Sequence, residues 1–368
     1  MEDWLNKSAD VKYNLSASGV EDFSMKEFLR ICNTDTKEFR NLFLGDCDSR
    51  GSIDLRKEIC KIFKAVYLSE VLITNGSSEA IFCFLNEILE RGDEIVIPFP
   101  AFQCLYQLPI SMGCKIKFLD LLKCKNWRLD IEKLDKLITK KTKLIIINNP
   151  HNPIGWTLNE KELQQIGKIA RKNNCYLFFD EHYRLLPLED GTRLIASGYD
   201  ICKKIHRKTY ASGSMCKCFG ITGIRIGFLI GEPKLLARCR DYKDYVTHTI
   251  PSITDKIAYL ALKNKNKIIK MRKKHILRNI QLLNRFMETN TDFFDYVKPT
   301  GGVVCFPRLK FIDDVKFCND LFEKYGVSLL PGYGFEIKGH FRLNFGINTN
   351  EFERALNKIQ KYVNKLKN

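Results

Sequence analysis

Ser212-Gly-Ser-Met-Cys-Lys-Cys-Phe-Gly-Ile-Thr-Gly-Ile-Arg-Ile-Gly227 is the stretch on which the reading of this chain turns. A single lysine, Lys217, stands among small residues, and Arg225 follows eight positions later. The glycines around them let main chain come close to a bound group. Read as a long glycine-bearing loop, the stretch offers an amine beside a cation able to clamp an anion. In a chain with 60 Lys and Arg residues, an ordinary surface lysine would look much the same. The meaning of Lys217 therefore depends on what the other segments bring to it.

Outward from this stretch, one unit recurs from residue 70: a short apolar run, a polar or glycine-bearing turn, then a helical stretch. Val71–Thr74 leads into Asn75-Gly-Ser-Ser78 and a helix over 79–89, and Glu94–Ile97 leads into Pro98-Phe-Pro-Ala-Phe102. Leu144–Ile147 leads into Asn148-Asn-Pro-His-Asn-Pro-Ile-Gly155 and a helix over 160–172, and Cys175–Phe179 leads into Asp180-Glu-His-Tyr183. Continuous apolar runs alternating with helices predict an α/β fold with a mostly parallel sheet covered on both faces. Ligands of such sheets collect at the carboxyl ends of the strands, where each of these turns belongs. Beyond Leu235 a long helical region, interrupted at Pro251, runs to about Phe286. Short apolar runs and a helix near 315–325 follow, and alternation in Phe341–Phe345 sets Arg342 and Asn344 opposite the phenylalanines. The expected division is an N-terminal arm with part of a small domain over 1–45, a large domain over 46–245 and a small α+β domain over 246–368.

The 45% apolar and 28% charged fractions are those of a globular protein with a sizeable core. No apolar run reaches the roughly 18–20 residues of a membrane helix. Met1–Lys7 lacks the basic start and apolar stretch of a secretion signal, so a cytoplasmic location without membrane association is expected. The net charge of +17 is spread over many segments. Its densest cluster, Lys263–Arg278, reads as the solvated face of a helix, so nucleic acid is not an expected partner. Fourteen scattered cysteines without a Cys-x-x-Cys read as reduced packing residues, and six histidines without a chelating pair give no metal site.

Gathered at strand ends, the polar turns suit pyridoxal phosphate. Gly76, Ser77 and Ser78 open a helix whose free amides and hydroxyls can hold a phosphate, or they simply cap it. Phe102 could stack on the pyridine ring or pack in the core. Asp180 could pair with the pyridine nitrogen and keep the ring an electron sink, or cap a helix. Asn152 and Tyr183 could bond the ring's phenolic oxygen, and Lys217 supplies the amine for a Schiff base.

With these residues the chain resembles the fold-type I pyridoxal-phosphate enzymes, the aminotransferase class I/II superfamily, over nearly its whole length. The motifs are Asn149-Pro-His-Asn-Pro-Ile-Gly155, Asp180-Glu-His-Tyr183, Ser214-x-x-Lys217, Gly223-Ile-Arg-Ile-Gly227 and Arg342 in the last strand. The resemblance implies the aspartate aminotransferase fold: a large domain with a mostly parallel sheet of seven-stranded type, plus a smaller α+β domain from the two chain ends. It makes Lys217 the covalent carrier of the cofactor, Ser214 and Arg225 phosphate ligands, and Arg342 with Asn152 the seat of an amino-acid substrate's α-carboxylate. It also implies a homodimer, with Thr247–Thr254 near the partner's cofactor. Two departures stand out: Leu44-Gly-Asp46 offers no tyrosine where many members carry one, and His182 replaces a common aliphatic.

Within the superfamily, Glu2-Asp-Trp-Leu5, Ser16–Val20, Asn75–Ala80 and Asp180–Pro187 are similar to the capreomycidine synthases, which cyclise 3-hydroxyarginine. That similarity implies dehydration and ring closure of a β-hydroxylated arginine, with Ser18 and Gly19 lining the substrate site. His182 then moves a proton to or from substrate, or props Asp180 from beneath, and Glu21 or Asp22 receives the guanidinium. Transamination between an amino acid and a 2-oxo acid, decarboxylation and β-elimination are the alternatives. A nucleic-acid-binding regulator on a degenerate version of the fold is disfavoured, because every cofactor position is filled.

Overall fold

The computed structural model describes residues 1–8, 10–188 and 194–367. Seven strands form its central sheet: β1 Val71–Thr74, β2 Glu94–Phe99, β3 Lys115–Asp120, β4 Thr142–Asn148, β5 Tyr176–Asp180, β6 Thr209–Ser214 and β7 Gly227–Ile230. Their order across the sheet is β1-β7-β6-β5-β4-β2-β3. Neighbours are parallel except at β7, which runs antiparallel to both β1 and β6.

Strand alternation explains the unbroken apolar runs. Ile145, Ile147, Leu177 and Phe179 enter the core on one face, while Leu144, Ile146 and Phe178 enter the core on the other. All seven are fully buried, and burying each side chain contributes about 1.5–3 kcal/mol. On the second face Phe84, from the helix Gly76–Ile88, stacks on Phe178 with ring centroids 4.7 Å apart.

The opening stretch is more ordered than a single loop. Ser212–Ser214 complete β6, and Met215–Phe219 form a helical turn capped by Ser214, whose Oγ accepts from the Cys216 amide at 3.0 Å. Gly220 ends that turn in the left-handed region at φ 67°, and Thr222–Ile224 make a 3-10 turn before β7. An antiparallel return needs no crossover helix, so this short connection suffices to carry Lys217 and Arg225. The edge strand β3 was not distinguished in the sequence, because it leaves Lys115 and Phe118 exposed and lacks a continuous apolar run.

The two chain ends join in the smaller α+β domain. Tyr13–Asn14 pairs in parallel with Val327–Ser328, and Val304–Cys305, Phe341–Asn344 and Leu330–Pro331 form an antiparallel three-stranded sheet. The helix Lys265–Thr289 keeps Lys267, Lys270, Lys274 and Arg278 of the basic cluster exposed and buries Ile268 and Ile276, with Arg272 as the exception to the solvated face. Arg272 is buried with its guanidinium 3.7 Å from the Phe23 ring centroid, and Asn279 donates to the carbonyls of Phe345 at 3.0 Å and Ile347 at 2.8 Å. Among the described residues no helix is long and apolar enough to cross a membrane.

Gly227 lies between Thr74 and Ser214 in the sheet. A Cβ on it would come within 2.3 Å of the Gly76 carbonyl carbon and 2.4 Å of the Ser77 nitrogen, so the first turn of the Gly76 helix would have to move. Gly227→Ala is expected to cost about 1–3 kcal/mol in urea unfolding. Gly223→Ala, where an added Cβ meets nothing within 4 Å, should stay within about 0.5 kcal/mol of the parent.

Candidate active site

The carboxyl ends of β4, β5 and β6 set Asn148, Asp180 and Ser212 side by side in register. Asp180 is fully buried. Its Oδ1 accepts from His182 Nδ1 at 2.9 Å and Ser212 Oγ at 3.1 Å, and its Oδ2 accepts from Asn148 Nδ2 at 3.3 Å. Among the described residues, His182 is the one basic side chain paired with it. His182 thus sits as a prop against Asp180, its ring 4.2 Å from that of Tyr183 and its Nε2 buried without a partner. The thiol of Cys218 fixes the same segment by donating to the His182 carbonyl at 3.1 Å.

Lys217 occupies the helical turn after β6, and its Nζ donates to Ser18 Oγ at 2.8 Å. Burial first, then the charges of Arg342 and Arg225, lower its pKa to about 8. The arm that brings Ser18 here is tied along its length. Tyr183 Oη donates to the Ser18 carbonyl, and Asn344 Nδ2 donates to the Gly19 carbonyl at 2.9 Å. The Val20 amide donates to the Lys217 carbonyl at 3.1 Å, and the Phe23 amide to that of Gly220 at 2.8 Å. Residues 16–23 therefore lie across the lysine turn. Tyr183 is fully buried, and burial pushes its phenol well above its ordinary pKa.

Arg342 reaches the same place from the last strand. It is 2% exposed, and its Nη1 donates to Asn152 Oδ1 at 3.1 Å and its Nη2 to the Ser16 carbonyl at 2.7 Å, while Nε is buried without a partner. Burial lowers its pKa to about 10. A buried guanidinium with an unused N–H is a strong seat for a carboxylate. Asn152 is steadied by its own amide, which donates to Asn148 Oδ1 at 2.6 Å.

At the other end, Arg225 adopts φ 54° and turns its guanidinium toward the Gly76 helix, where a Cβ on Gly76 would lie 2.8 Å from Nη2. Its Nη1 donates to the Thr222 carbonyl at 3.2 Å and to Cys216 Sγ at 3.4 Å. Gly76, Ser77 and Ser78 form the first turn of that helix, with Ser77 partly buried and Ser78 exposed. Ser214 caps the lysine turn beside them. Phe102 is half-buried and packs against the core on the second face of the sheet.

Asp22 adjoins the lysine turn, where its charge acts on Lys217, and Glu21 precedes it on the arm. Asp22 Oδ1 accepts from the Thr222 amide at 2.7 Å, and Glu21 is exposed in the field of Arg272. Asn148, Ser212, Asn344 and the Ser16 carbonyl were missed in the sequence. The first two sit at strand ends flanking Asp180, a position that could have marked them; Asn344 shares the strand face of Arg342, which alternation had shown, and the Ser16 carbonyl had no local signal.

The residues fit pyridoxal phosphate on chemical grounds. A buried carboxylate without a lysine or arginine partner suits a pyridinium nitrogen, because a buried charge is costly unless paired. A lysine of lowered pKa suits a carbonyl carbon, and a helix N-terminus facing an arginine suits a phosphate. The chain belongs to the aminotransferase class I and II family, whose model matches residues 19–359, and pyridoxal phosphate is its cofactor. It is 28% identical over 327 residues to an aspartate aminotransferase of Thermotoga maritima, covering 86% of this chain and 83% of that enzyme. It is 25% identical over 360 residues to capreomycidine synthase of Streptomyces vinaceus, covering 97% of this chain and 91% of that enzyme. A solved pyridoxal-phosphate-dependent aminotransferase from Streptococcus suis superposes with a TM-score of 0.91 at 26% identity, covering 99% of this chain and 96% of the other.

The lowered pKa of Lys217 has a kinetic consequence. Only the neutral amine attacks a carbonyl, so capture of pyridoxal phosphate by cofactor-free protein is expected to quicken as pH rises, with a midpoint near 8 rather than the ordinary 10.5. Absorbance stopped-flow across pH 6–10 measures it. Lys217→Ala protein should yield no cofactor fixed by borohydride, as read by intact mass.

Proposed function

We propose that this protein dehydrates and cyclises an amino acid of the β-hydroxylated arginine type, yielding a cyclic guanidino amino acid. The hydrogen bond between Lys217 Nζ and Ser18 Oγ at 2.8 Å carries this reading. In transamination the proton taken from Cα returns to the cofactor, whereas here a hydroxyl stands ready to pass it elsewhere. The similarity to capreomycidine synthase over 360 residues supports the same reading, since it takes in more of the chain than the 327 residues matched to aspartate aminotransferase.

When bound, pyridoxal phosphate withdraws electrons from Cα. Arg342, with Asn152 against it, holds the α-carboxylate. Asp180, propped by His182, Ser212 and Asn148, keeps the pyridine nitrogen protonated, and Tyr183 with Asn152 orients the ring oxygen. Gly76, Ser77, Ser78, Ser214 and Arg225 hold the phosphate, and Phe102 covers the ring. Lys217 removes the Cα proton. The Cβ–O bond then breaks with its electron pair on oxygen, and that oxygen takes the proton through Lys217 and Ser18 and leaves as water. A guanidine nitrogen of the same side chain donates its lone pair to Cβ, and the proton it loses returns to Cα. The net change is loss of one water. Holding the side chain folded back makes the ring closure effectively unimolecular.

Transfer of an amino group to a 2-oxo acid is the second reading, favoured by the aspartate aminotransferase match. Incubation with 3-hydroxyarginine should give a product lighter by one water with no new olefin or ketone. Incubation with 2-oxoglutarate and a panel of amino acids should give no glutamate above background. Glutamate formation without the dehydrated product would overturn the proposal in favour of transamination.

We also infer a homodimer. Leu44 is 85% and Tyr245 92% exposed, and Phe43, Val246 and Ile253 are exposed with them. Their segments are joined, since Ser252 Oγ donates to the Phe43 carbonyl at 2.6 Å and Thr249 Oγ1 to Asp46 Oδ1 at 3.1 Å. Exposed apolar side chains on joined segments of this kind mark an interface, and a second copy is its occupant. The patch adjoins Thr247, which bonds Glu79 of the phosphate helix at 2.6 Å. The division at residues 45 and 245 and a reducing, cytoplasmic setting belong to the same proposal, the latter supported by fourteen unpaired thiols. Leu44→Asp with Tyr245→Asp should shift the mass by light scattering from dimer to monomer; a monomeric parent would refute the dimer.

A further inference from the structure

Residues 15–24, between the short strand Tyr13–Asn14 and the helix Met25–Cys32, have no regular secondary structure, so the arm over Lys217 keeps its place through contacts alone. At one end Ser18 is held by Lys217 and Tyr183, and Gly19 by Asn344. At the other end the chain turns into the helix that Ser24 caps, and Phe23 stands at that turn. The Phe23 amide donates to the carbonyl of Gly220, the residue that closes the lysine turn, at 2.8 Å. Its ring is half-buried and borders a recess of about 350 Å³ lined also by Asp22, Phe28, Thr222 and Ile257. Close packing does not hold the ring on that side.

What does hold it is Arg272, whose guanidinium lies 3.7 Å from the ring centroid. An added Cβ on Gly220 would come within 2.3 Å of Arg272 Nη2 and of the Glu21 carbonyl oxygen, so the guanidinium meets the arm and the end of the lysine turn together. The helix beneath is anchored, since Asn279, two turns farther on, donates to the carbonyls of Phe345 and Ile347. Arg272 is 7% exposed, yet its Nε and Nη2 are buried without a partner. Burial lowers its pKa to about 10, against the charges of Glu21, Asp22 and Glu27. A buried cation without a hydrogen-bonded carboxylate is costly. The position therefore uses the planar face of the guanidinium, stacked on a ring, rather than an ion pair.

We propose that Arg272 is a positioning residue for Lys217: by clamping Phe23 against the Gly220 end of the lysine turn it holds the arm closed over the amine and keeps water from it. This rests on Lys217 as the amine that takes up pyridoxal phosphate, and not on cyclisation. The main charges acting on Lys217 are those of Arg342, Cys216, Arg225 and Asp22. A substitution at residue 272 reaches the amine chiefly through the arm. Loosening the arm admits water, which favours the charged amine and raises its pKa.

Two measurements on the full chain test this: stopped-flow capture of pyridoxal phosphate by cofactor-free protein as a function of pH, and hydrogen exchange of residues 16–23 read by mass spectrometry. Arg272→Met should raise the midpoint of capture from near 8 toward 10.5, by about one unit. It should also quicken exchange of the 16–23 amides about 10-fold. Phe23→Leu, which leaves the cation in place, should do the same and serves if Arg272→Met fails to fold. The double variant should shift the midpoint no further than either single one, because both remove one contact. Arg272→Lys should keep part of the shielding, and Lys274→Met, at an exposed position of the same helix, all of it. A midpoint or an exchange rate that stays at the parent value in both Arg272→Met and Phe23→Leu overturns the assignment. No amino-acid substrate enters either measurement, so a failed cyclisation assay leaves the role of Arg272 standing, and failure here leaves the cyclase reading untouched.

Discussion

A carboxylate buried completely at the end of a parallel strand must find donors or give up its charge, and Asp180 meets that demand with three side chains. Two of them, Asn148 and Ser212, come from the adjoining strand ends, so the register of β4, β5 and β6 is what satisfies the charge. The third, His182, comes from the turn that follows. Much else depends on this arrangement. Asn148 also accepts from the Asn152 amide and so holds the residue against which Arg342 leans. His182 brings its ring to Tyr183, and Tyr183 in turn holds the Ser18 carbonyl.

From that chain of contacts the arm acquires its place. Residues 16–23 are bonded to Tyr183, Lys217, Gly220 and Asn344, which come from three different parts of the sequence. Holding the arm there buries the amine of Lys217, and burial is the main cause of its lowered pKa. The same arm presents Ser16 to Arg342 and Ser18 to Lys217, so one segment touches both cations. A fold shared by transaminases and other pyridoxal-phosphate enzymes leaves the outcome after Cα deprotonation to such surrounding groups, because the cofactor supports all of these reactions.

The two departures in the sequence gain physical content in this setting. His182 is buried against Asp180 with its second nitrogen unpartnered, which suits a positioning residue better than a group meeting substrate. Near residue 44, where a tyrosine is missing, the chain instead carries exposed Phe43 and Leu44.

The sequence by itself determined the sheet, its mostly parallel character and several of the residues that come together at the candidate site. Continuous apolar runs can be buried only on both faces, and the turns that follow them must then gather at one edge. Lys217, Asp180, Asn152, Tyr183, Arg225 and Arg342 were legible because each sits in a short motif or on a strand with clear alternation. The sequence misjudged the lysine stretch as a loop, since helical turns of three to five residues leave too little periodicity to detect. Tertiary structure alone decided that Ser18 meets Lys217 and that Arg272 turns inward onto the Phe23 ring. These pairings join residues up to 326 positions apart, as in Arg342 and Ser16. No local pattern encodes such a distance; it follows from how the small domain folds the two chain ends back over the sheet.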